Sequence, residues 1–157
     1  MADVTPMKTP VIHIGWPKTA STMLQRSLFE GHPDIYPITQ KTGASARFLI
    51  KTLLPDSTEY DPKIARDTLR GLLSENLVGD RTVLISCENF TEPFTDRGLV
   101  AERLRDLFGE CKLLAVTRSQ YTAIPSFYGS RNLQREMDMR SWLKVFGPAL
   151  FPSYRYM

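Results

Sequence analysis

A lysine and several small hydroxyl-bearing residues stand between a short apolar segment and a longer amphipathic one. Lys18 is followed by Thr19, Ala20, Ser21 and Thr22. A strand, a tight loop and a helix in this order form an anion site, because the first amides of a helix lack internal partners and its N-terminus is partially positive. Lys18 adds a full charge, and the three hydroxyl groups add donors. These residues predict a site for a phosphate group.

The flanking sequence predicts the two elements that position this loop. β-branched residues predict a buried strand over 11–15, which Gly15 and Pro17 bring to an end. Apolar residues at helical spacing predict a helix over 20–30. The alternative interpretation is an ordinary strand–helix junction in which the lysine has no ligand.

The spacing of the loop narrows the kind of phosphate site. The Walker A loop places its lysine directly after a second glycine, whereas here Gly15 comes three positions before Lys18, with no glycine between them. The run P-K-T-A-S-T-M-L-Q, residues 17–25, resembles instead the 5′-phosphosulfate loop of the bacterial sulfotransferases. Those enzymes transfer a sulfuryl group from 3′-phosphoadenosine 5′-phosphosulfate (PAPS). Ala20 stands where that family usually has glycine, but we expect the change to be tolerated, since residues entering a helix rarely need positive φ.

A second segment strengthens the resemblance. A buried strand is expected over 112–117, followed by Arg118 and, eight positions later, Ser126. Sulfotransferases have an arginine and a serine at this spacing, and the resemblance implies that Arg118 and Ser126 bind the donor's 3′-phosphate. A guanidinium fork and a hydroxyl donor suit a phosphate dianion. Gln120 replaces the more common proline. A lone arginine after a strand would otherwise indicate a surface ion pair.

A third segment suggests a base. A short apolar strand is expected over 82–86, and Ser86, Cys87 and Glu88 follow at its end. Many sulfotransferases resemble this with S-x-E, which makes Glu88 the candidate general base for the acceptor hydroxyl. A solvated or helix-capping carboxylate is an equally weighted alternative. Cys87 is interpreted as a small buried residue, not a nucleophile, because no histidine lies near it in sequence.

The histidines and tryptophans are weaker candidates. His13 lies within the first strand, where a hydrogen-bonded core role is expected, and His32 lies in a turn as a minor candidate for the acceptor site. Trp16 is placed in the loop and could line the donor pocket, whereas Trp142 is assigned to the core. Neither H-x-x-x-H nor C-x-x-C occurs, so no metal site is expected.

Composition is that of one globular enzyme-sized domain. The 157 residues carry 20 basic and 17 acidic side chains, a formal charge of +3. This balance is too mild to predict binding to nucleic acid or to a membrane surface. Two cysteines predict no disulfide framework and a reducing, cytoplasmic environment. The N-terminal residues 1–8 lack the apolar run of a signal peptide or a membrane span.

Strands that alternate with helices predict an α/β domain over residues 1–157, with a parallel sheet and helices on both faces. Three strands are expected, at 11–15, 82–86 and 112–117. Turns are expected over 31–43, which contains Pro33 and Pro37. The remaining helices are expected at 44–54, from 61 to about 77, at 97–108, 119–133 and 138–146.

The resemblance implies a P-loop-like sheet that lacks the family's C-terminal strand and closing loop. The chain would then be a partial sulfotransferase domain, either a fragment or a reduced protein that covers its open sheet edge by forming a homo-oligomer. The resemblance implies a hydroxyl-bearing acceptor, such as a glycan or another small hydroxyl compound. Glu88 would take the acceptor proton and Lys18 would stabilise charge on the leaving oxygen, with residues 19–22 holding the 5′-phosphate and no metal required. The alternatives are a non-catalytic remnant that binds nucleotide phosphate and an ATP-dependent P-loop kinase.

Overall fold

The computed structural model of the chain describes residues 8–15, 20–58, 60–75, 78–92, 95–131 and 137–150. Its centre is a sheet of four parallel strands in the order β2-β3-β1-β4. The strands are β1, Val11–Gly15, β2, Ile35–Thr39, β3, Thr82–Ser86, and β4, Lys112–Val116. The predicted α/β class and parallel sheet are confirmed.

Six α-helices and two other helical segments connect and follow these strands in the described residues. The first helix begins as predicted, but after one turn it continues as a π-helix, Leu24–Phe29. A 3₁₀ turn, Glu88–Thr91, follows β3. The α-helices are α1, Ser21–Met23, α2, Ala44–Leu53, α3, Pro62–Glu75, α4, Arg97–Phe108, α5, Gln120–Arg131, and α6, Met139–Leu150.

Capping residues set the starts of α3 and α4. Asp61 Oδ1 accepts hydrogen bonds from the amides of Lys63 at 2.7 Å and Ile64 at 3.0 Å. Asp96 Oδ1 accepts one from the amide of Leu99 at 3.1 Å. Such carboxylates satisfy amides that have no partner inside the helix. The predicted start of α3 is confirmed, while its predicted end near residue 77 lies outside the described residues.

The expectation of turns throughout 31–43 is wrong, because β2 lies within this range. Proline lacks an amide donor and is therefore tolerated in a strand only at a sheet edge or a bulge. β2 is an edge strand, and Pro37 pairs in register with Leu84 on its single neighbour. The sheet consequently has four strands instead of the expected three.

Helices lie on both faces of the sheet. The main core packs α2, α3 and α4 against alternate sheet residues such as Ile12, Ile38 and Ile85, all fully buried. Adjacent residues of a strand point to opposite faces, so His13 faces away from this core. There it meets Phe29 of the π-helix edge-to-face, with the ring centroids 5.3 Å apart. The predicted two-sided arrangement is confirmed.

The strand expected at 112–117 is present, but the expectation that it is buried is wrong. Leu113 is 64% exposed and Leu114 is 39% exposed. β4 pairs only with β1 among the described residues, and it occupies an edge of the sheet. An apolar run predicts a strand, but only the neighbouring elements determine how far its side chains are buried.

Candidate functional site

The three segments singled out in the sequence follow three adjacent strands. β1 lies between β3 and β4 in a parallel sheet, so Gly15, the turn carrying Glu88 and the segment starting at residue 117 all lie at the same edge of the sheet. Ligands of open α/β sheets bind at this edge. Trp16, Lys18 and Thr19 lie outside the described residues. The convergence of the strands is confirmed, and the position of Lys18 stays a prediction.

The turn that carries Glu88 is fixed to the end of β1. Thr91 Oγ1 donates to the carbonyl oxygen of Gly15 at 2.8 Å, and the amide of Cys87 reaches the carbonyl oxygen of His13 at 3.4 Å. Gly15 is the residue immediately before the loop that contains Lys18. These hydrogen bonds hold the turn that carries Glu88 close to the end of β1, where the loop begins.

A small polar cavity lies where these elements meet. It has a volume of about 120 Å³ and is lined by residues 86–89, by Gln40 and Lys41 after β2, and by Thr22 and Gln25 of the first helix. Neither Glu88 nor Lys41 has a side-chain hydrogen bond or ion pair with the described residues. The structure therefore brings Thr22 of the predicted phosphate loop and Glu88 to one cavity.

A buried hydrogen-bonded cluster joins the first helix, β1 and β3 beneath this cavity. Ser86 Oγ lies 2.7 Å from His13 Nδ1 and accepts a hydrogen bond from Gln25 Nε2 at 2.9 Å. Gln25 Nε2 also reaches the carbonyl oxygen of Ser86 at 3.4 Å. Because Ser86 is two residues before Glu88, this cluster fixes the helix of the phosphate loop relative to the candidate base.

His13 is a core residue, as expected from the sequence. Its side chain is fully buried, and its Nε2 atom has no hydrogen-bond partner among the described residues. Burial lowers the pKa of His13 because the charged imidazolium loses its hydration. Its ring is hydrogen-bonded to Ser86 and so connects β1 to β3.

Ala20 corrects one expectation about the loop. Its φ of 63° and ψ of 25° place it in the left-handed region, directly before the first helix. The expectation that a residue entering this helix avoids positive φ is therefore wrong, and glycine would adopt this conformation without strain. Backbone strain of this kind is concentrated at ligand-binding segments. The next residue, Ser21, is buried, whereas Thr22 is exposed at the cavity.

Arg118 lies just before α5, and Ser126 lies within this helix. Arg118 Nε donates to Thr122 Oγ1 at 2.9 Å. Thr122 and Ser126 are four residues apart in α5 and hence share one face of the helix. Thr122 thus contacts Arg118 and lies on the same helix face as Ser126. Arg118 is exposed and Ser126 half-buried, and neither lines the cavity beside Glu88.

The structure also describes the other candidates Cys87, His32 and Trp142. Cys87 is buried, and burial raises the pKa of its thiol to about 11, so that it is protonated at neutral pH. His32 Nδ1 accepts a hydrogen bond from the amide of Asp34 at 3.1 Å within a turn. Trp142 is buried against α5 residues in a separate cluster with Phe127, as expected for a core residue.

Sequence reasoning missed several polar residues of the site. Gln25 is part of the loop motif but carries no predicted role of its own, and Gln40, Asn89 and Thr122 have no signal in the sequence. Gln40 reaches the cavity because it directly follows β2, a strand that Pro37 argues against. A glutamine one turn into a helix after a phosphate loop is the one signal that could have been used.

No group of three or more His, Cys, Asp or Glu side chains in the described ranges is arranged to hold a metal ion. None of the helices in those ranges is both long and apolar enough to cross a membrane.

Comparison with known proteins yields no assignment. The chain matches no protein-family model and has no significant match among curated proteins.

Proposed function

We propose that this protein is a PAPS-dependent sulfotransferase whose acceptor hydroxyl binds beside Glu88. The observation that carries the proposal is the shared cavity of Thr22 and Glu88, which joins the P-K-T-A-S-T loop to the carboxylate of the S-x-E segment. The resemblance supplies the donor, and the cavity supplies a place for the acceptor.

The residues present suit a donor with two phosphate groups. The strained backbone at Ala20 and the exposed hydroxyl of Thr22 precede and begin a helix, an arrangement that favours a 5′-phosphate. Arg118 and Ser126 offer a guanidinium and a hydroxyl group for a 3′-phosphate. Thr122 donates to the carbonyl oxygen of Ser119 at 3.0 Å and accepts from Arg118 Nε, so that it positions the guanidinium. In this proposal Lys18 stabilises negative charge that develops at the bridging oxygen.

The chemical step balances without any further reactant. The acceptor oxygen forms a bond to sulfur, the bond from sulfur to the bridging oxygen breaks, and its electron pair stays on the 5′-phosphate. The hydroxyl proton passes to Glu88. Because the Glu88 carboxylate has no partner among the described residues, it can approach the hydroxyl without first breaking an ion pair. Gln25 and Ser86 act as positioning residues, since they hold the helix of the loop against β3.

The donor assignment is tested by comparing two nucleotides. We expect 3′-phosphoadenosine 5′-phosphate (PAP) to bind at least about tenfold more tightly than AMP, because hydrogen bonds to a charged phosphate contribute about 1.5–3 kcal/mol each. Arg118→Gln should remove most of this preference and leave AMP affinity unchanged. Titration calorimetry that gives equal affinities for PAP and AMP would exclude the 3′-phosphate site. Transfer from ATP in place of PAPS would favour the kinase alternative.

The base is tested by Glu88→Gln, which keeps the shape of the side chain and removes its basicity. Turnover with PAPS should fall by about 10²–10⁴-fold, the usual contribution of general base catalysis, while PAP affinity stays the same. Glu110→Gln, at an exposed glutamate after α4, is the matched control and should leave turnover intact. Full activity of the Glu88 variant would make Glu88 a solvated surface residue.

A further inference from the structure

Lys41 and Glu88 occupy equivalent positions after two adjacent strands. Thr39 at the end of β2 pairs in register with Ser86 at the end of β3, and Lys41 and Glu88 each come two residues later. Both line the cavity beside Glu88, and Lys41 is the one cationic side chain among the described residues that do so. Neither side chain has an ion pair or a hydrogen bond within the described part of the chain, so both charges are available to a ligand.

The turn that carries Lys41 is fixed by two threonine hydroxyl groups. The amide of Lys41 donates to Thr39 Oγ1 at 3.1 Å, and the amide of Thr39 donates to Thr42 Oγ1 at 2.9 Å. Beside Lys41, Gln40 Nε2 reaches the Cys87 sulfur at 3.7 Å and connects the turn to the end of β3. The backbone at Lys41 is therefore held in place before any ligand binds, which lowers the entropic cost of binding.

The order of the strands places Lys41 on the side of Glu88 that is remote from the donor. Along the sheet, β2 lies on one side of β3, and β1, which ends at Gly15 before the predicted phosphate loop, lies on the other. Neighbouring strands are about 4.8 Å apart, so the end of β2 is about 5 Å from the end of β3 and about 10 Å from the end of β1. Lys41 is therefore placed to contact the acceptor.

The charges around this position favour an anionic group at Lys41. The phosphate groups of the donor and the carboxylate of Glu88 would repel an acceptor that carries a negative charge of its own. A cation on the acceptor's side of the cavity offsets this repulsion. The ammonium group of a lysine has three donors, and its hydrogen bonds to an anion are stronger than those to a neutral oxygen. Lys41 therefore discriminates between anionic and neutral acceptors.

We propose that Lys41 is a specificity-determining residue that binds an anionic group, a carboxylate or a phosphate, of an acceptor whose hydroxyl group lies at Glu88. The proposal rests on the proposed function for the chemistry at Glu88, whereas binding of an anion by Lys41 depends on the cavity alone. Because the ends of β2 and β3 are only about 5 Å apart, a hydroxy acid, a sugar acid or a phosphorylated alcohol is long enough to reach both residues.

The experiment compares matched pairs of ligands in which only one member is charged. The pairs are methyl glucuronide with methyl glucoside, glycerol 3-phosphate with glycerol, and 4-hydroxyphenylacetate with its amide. Binding to the full chain is measured by saturation-transfer NMR titration, with and without PAP, which fills the proposed donor site. In at least one pair the anion should bind at least about tenfold more tightly, as expected for one hydrogen bond to a charged group. This preference should decrease as salt is added.

Substitutions at two lysines locate the anion. Lys41→Met removes the charge at similar side-chain length and should reduce the preference to less than about threefold, whereas Lys41→Arg should retain it. Lys51→Met makes the same change at an exposed lysine of α2 that is not among the residues lining the cavity, and it should leave the preference intact.

The outcomes separate this inference from the proposed function. No preference for the anion in any pair, a preference that survives Lys41→Met, or an equal loss in the Lys51 variant would overturn the role of Lys41. Failure to bind PAP, with the Lys41-dependent preference intact, would overturn only the proposed donor. Turnover with PAPS, without any preference for an anionic acceptor, would overturn only the inference about Lys41.

Discussion

β3 and β4 flank the same central strand, have the same length and carry similar apolar sequences, T-V-L-I-S and K-L-L-A-V, yet their environments are opposite. Four residues of β3 are buried and the fifth is half-buried. In β4 the first four are exposed and the fifth is half-buried. β3 has a strand on each side and helices over both faces, whereas β4 pairs only with β1 in the described residues.

The two strands show that strand formation and strand burial have different causes, which the sequence alone does not distinguish. The apolar β-branched pattern determines that a segment becomes a strand. The burial of that strand depends on what lies over it, and this is a property of the whole topology. The candidate site is divided between these two strands. The cavity beside Glu88 lies next to the buried β3, whereas Arg118 follows the exposed β4.

The largest expected effect is on stability and uses one side chain from each strand. Ile85→Ala removes a fully buried side chain of β3 and should lower the free energy of unfolding by about 2–5 kcal/mol. Leu113→Ala makes a comparable truncation in β4, at a side chain that is 64% exposed, and should change it by less than about 0.5 kcal/mol. Urea denaturation measures both. Equal losses would mean that β4 is covered in solution.

Much of the fold was predictable because the elements have strong local signals. The boundaries of β1, β3 and α4 match the sequence expectation, and α2 ends before Pro55. Asp61 and Pro62 gave the start of α3 correctly, since a capping carboxylate followed by proline is favoured there. The position of Glu88 at this edge of the sheet was also predictable, because the polar residues begin where the apolar run of β3 ends.

The features that could not be predicted depend on contacts between distant residues. Pro37 argued against a strand, and only its position on an outer strand makes it acceptable. The positive φ of Ala20 and the change from α-helix to π-helix at Leu24 carry no local signal, and Gln25 of the π-helix is hydrogen-bonded to Ser86 at the end of β3. Residues 61 positions apart in the chain make that contact.

A second prediction concerns pH and the dense side of the sheet. Because burial lowers the pKa of His13 in the folded protein, only the unfolded chain takes up its proton as the pH falls below about 6.5. The free energy of unfolding should therefore decrease below that pH, with a limiting slope of about 1.4 kcal/mol per pH unit for one proton. Denaturation at pH 7.5 and at pH 5.5 measures the change.

The chain has two histidines, and this gives the pH experiment its control. His13→Asn should remove this part of the pH dependence even though the variant is less stable at every pH. His32→Gln, which replaces the histidine of the turn before β2, should retain it. The interpretation of His13 is wrong if the dependence is lost in the His32 variant and retained in the His13 variant.

The smallest effect on the free energy of unfolding is expected from a substitution in β4 that weakens the association of two copies of the chain. Two copies of β4 that pair antiparallel about a two-fold axis at Leu114 would place Lys112 opposite Val116 and Leu113 opposite Ala115, with no like charges facing each other. We therefore expect the chain to self-associate through this edge, as light scattering at increasing concentration would measure. Leu113→Lys should weaken the association at least about tenfold, because a charge on an open strand opposes pairing, and should change the unfolding free energy of the monomer by less than about 0.5 kcal/mol.

Val145→Lys, at a 60% exposed residue of α6, is the control and should leave the association unchanged. A monomer at every concentration, or equal weakening by both variants, would mean that exposed apolar side chains of β4 are solvated like any other surface residues.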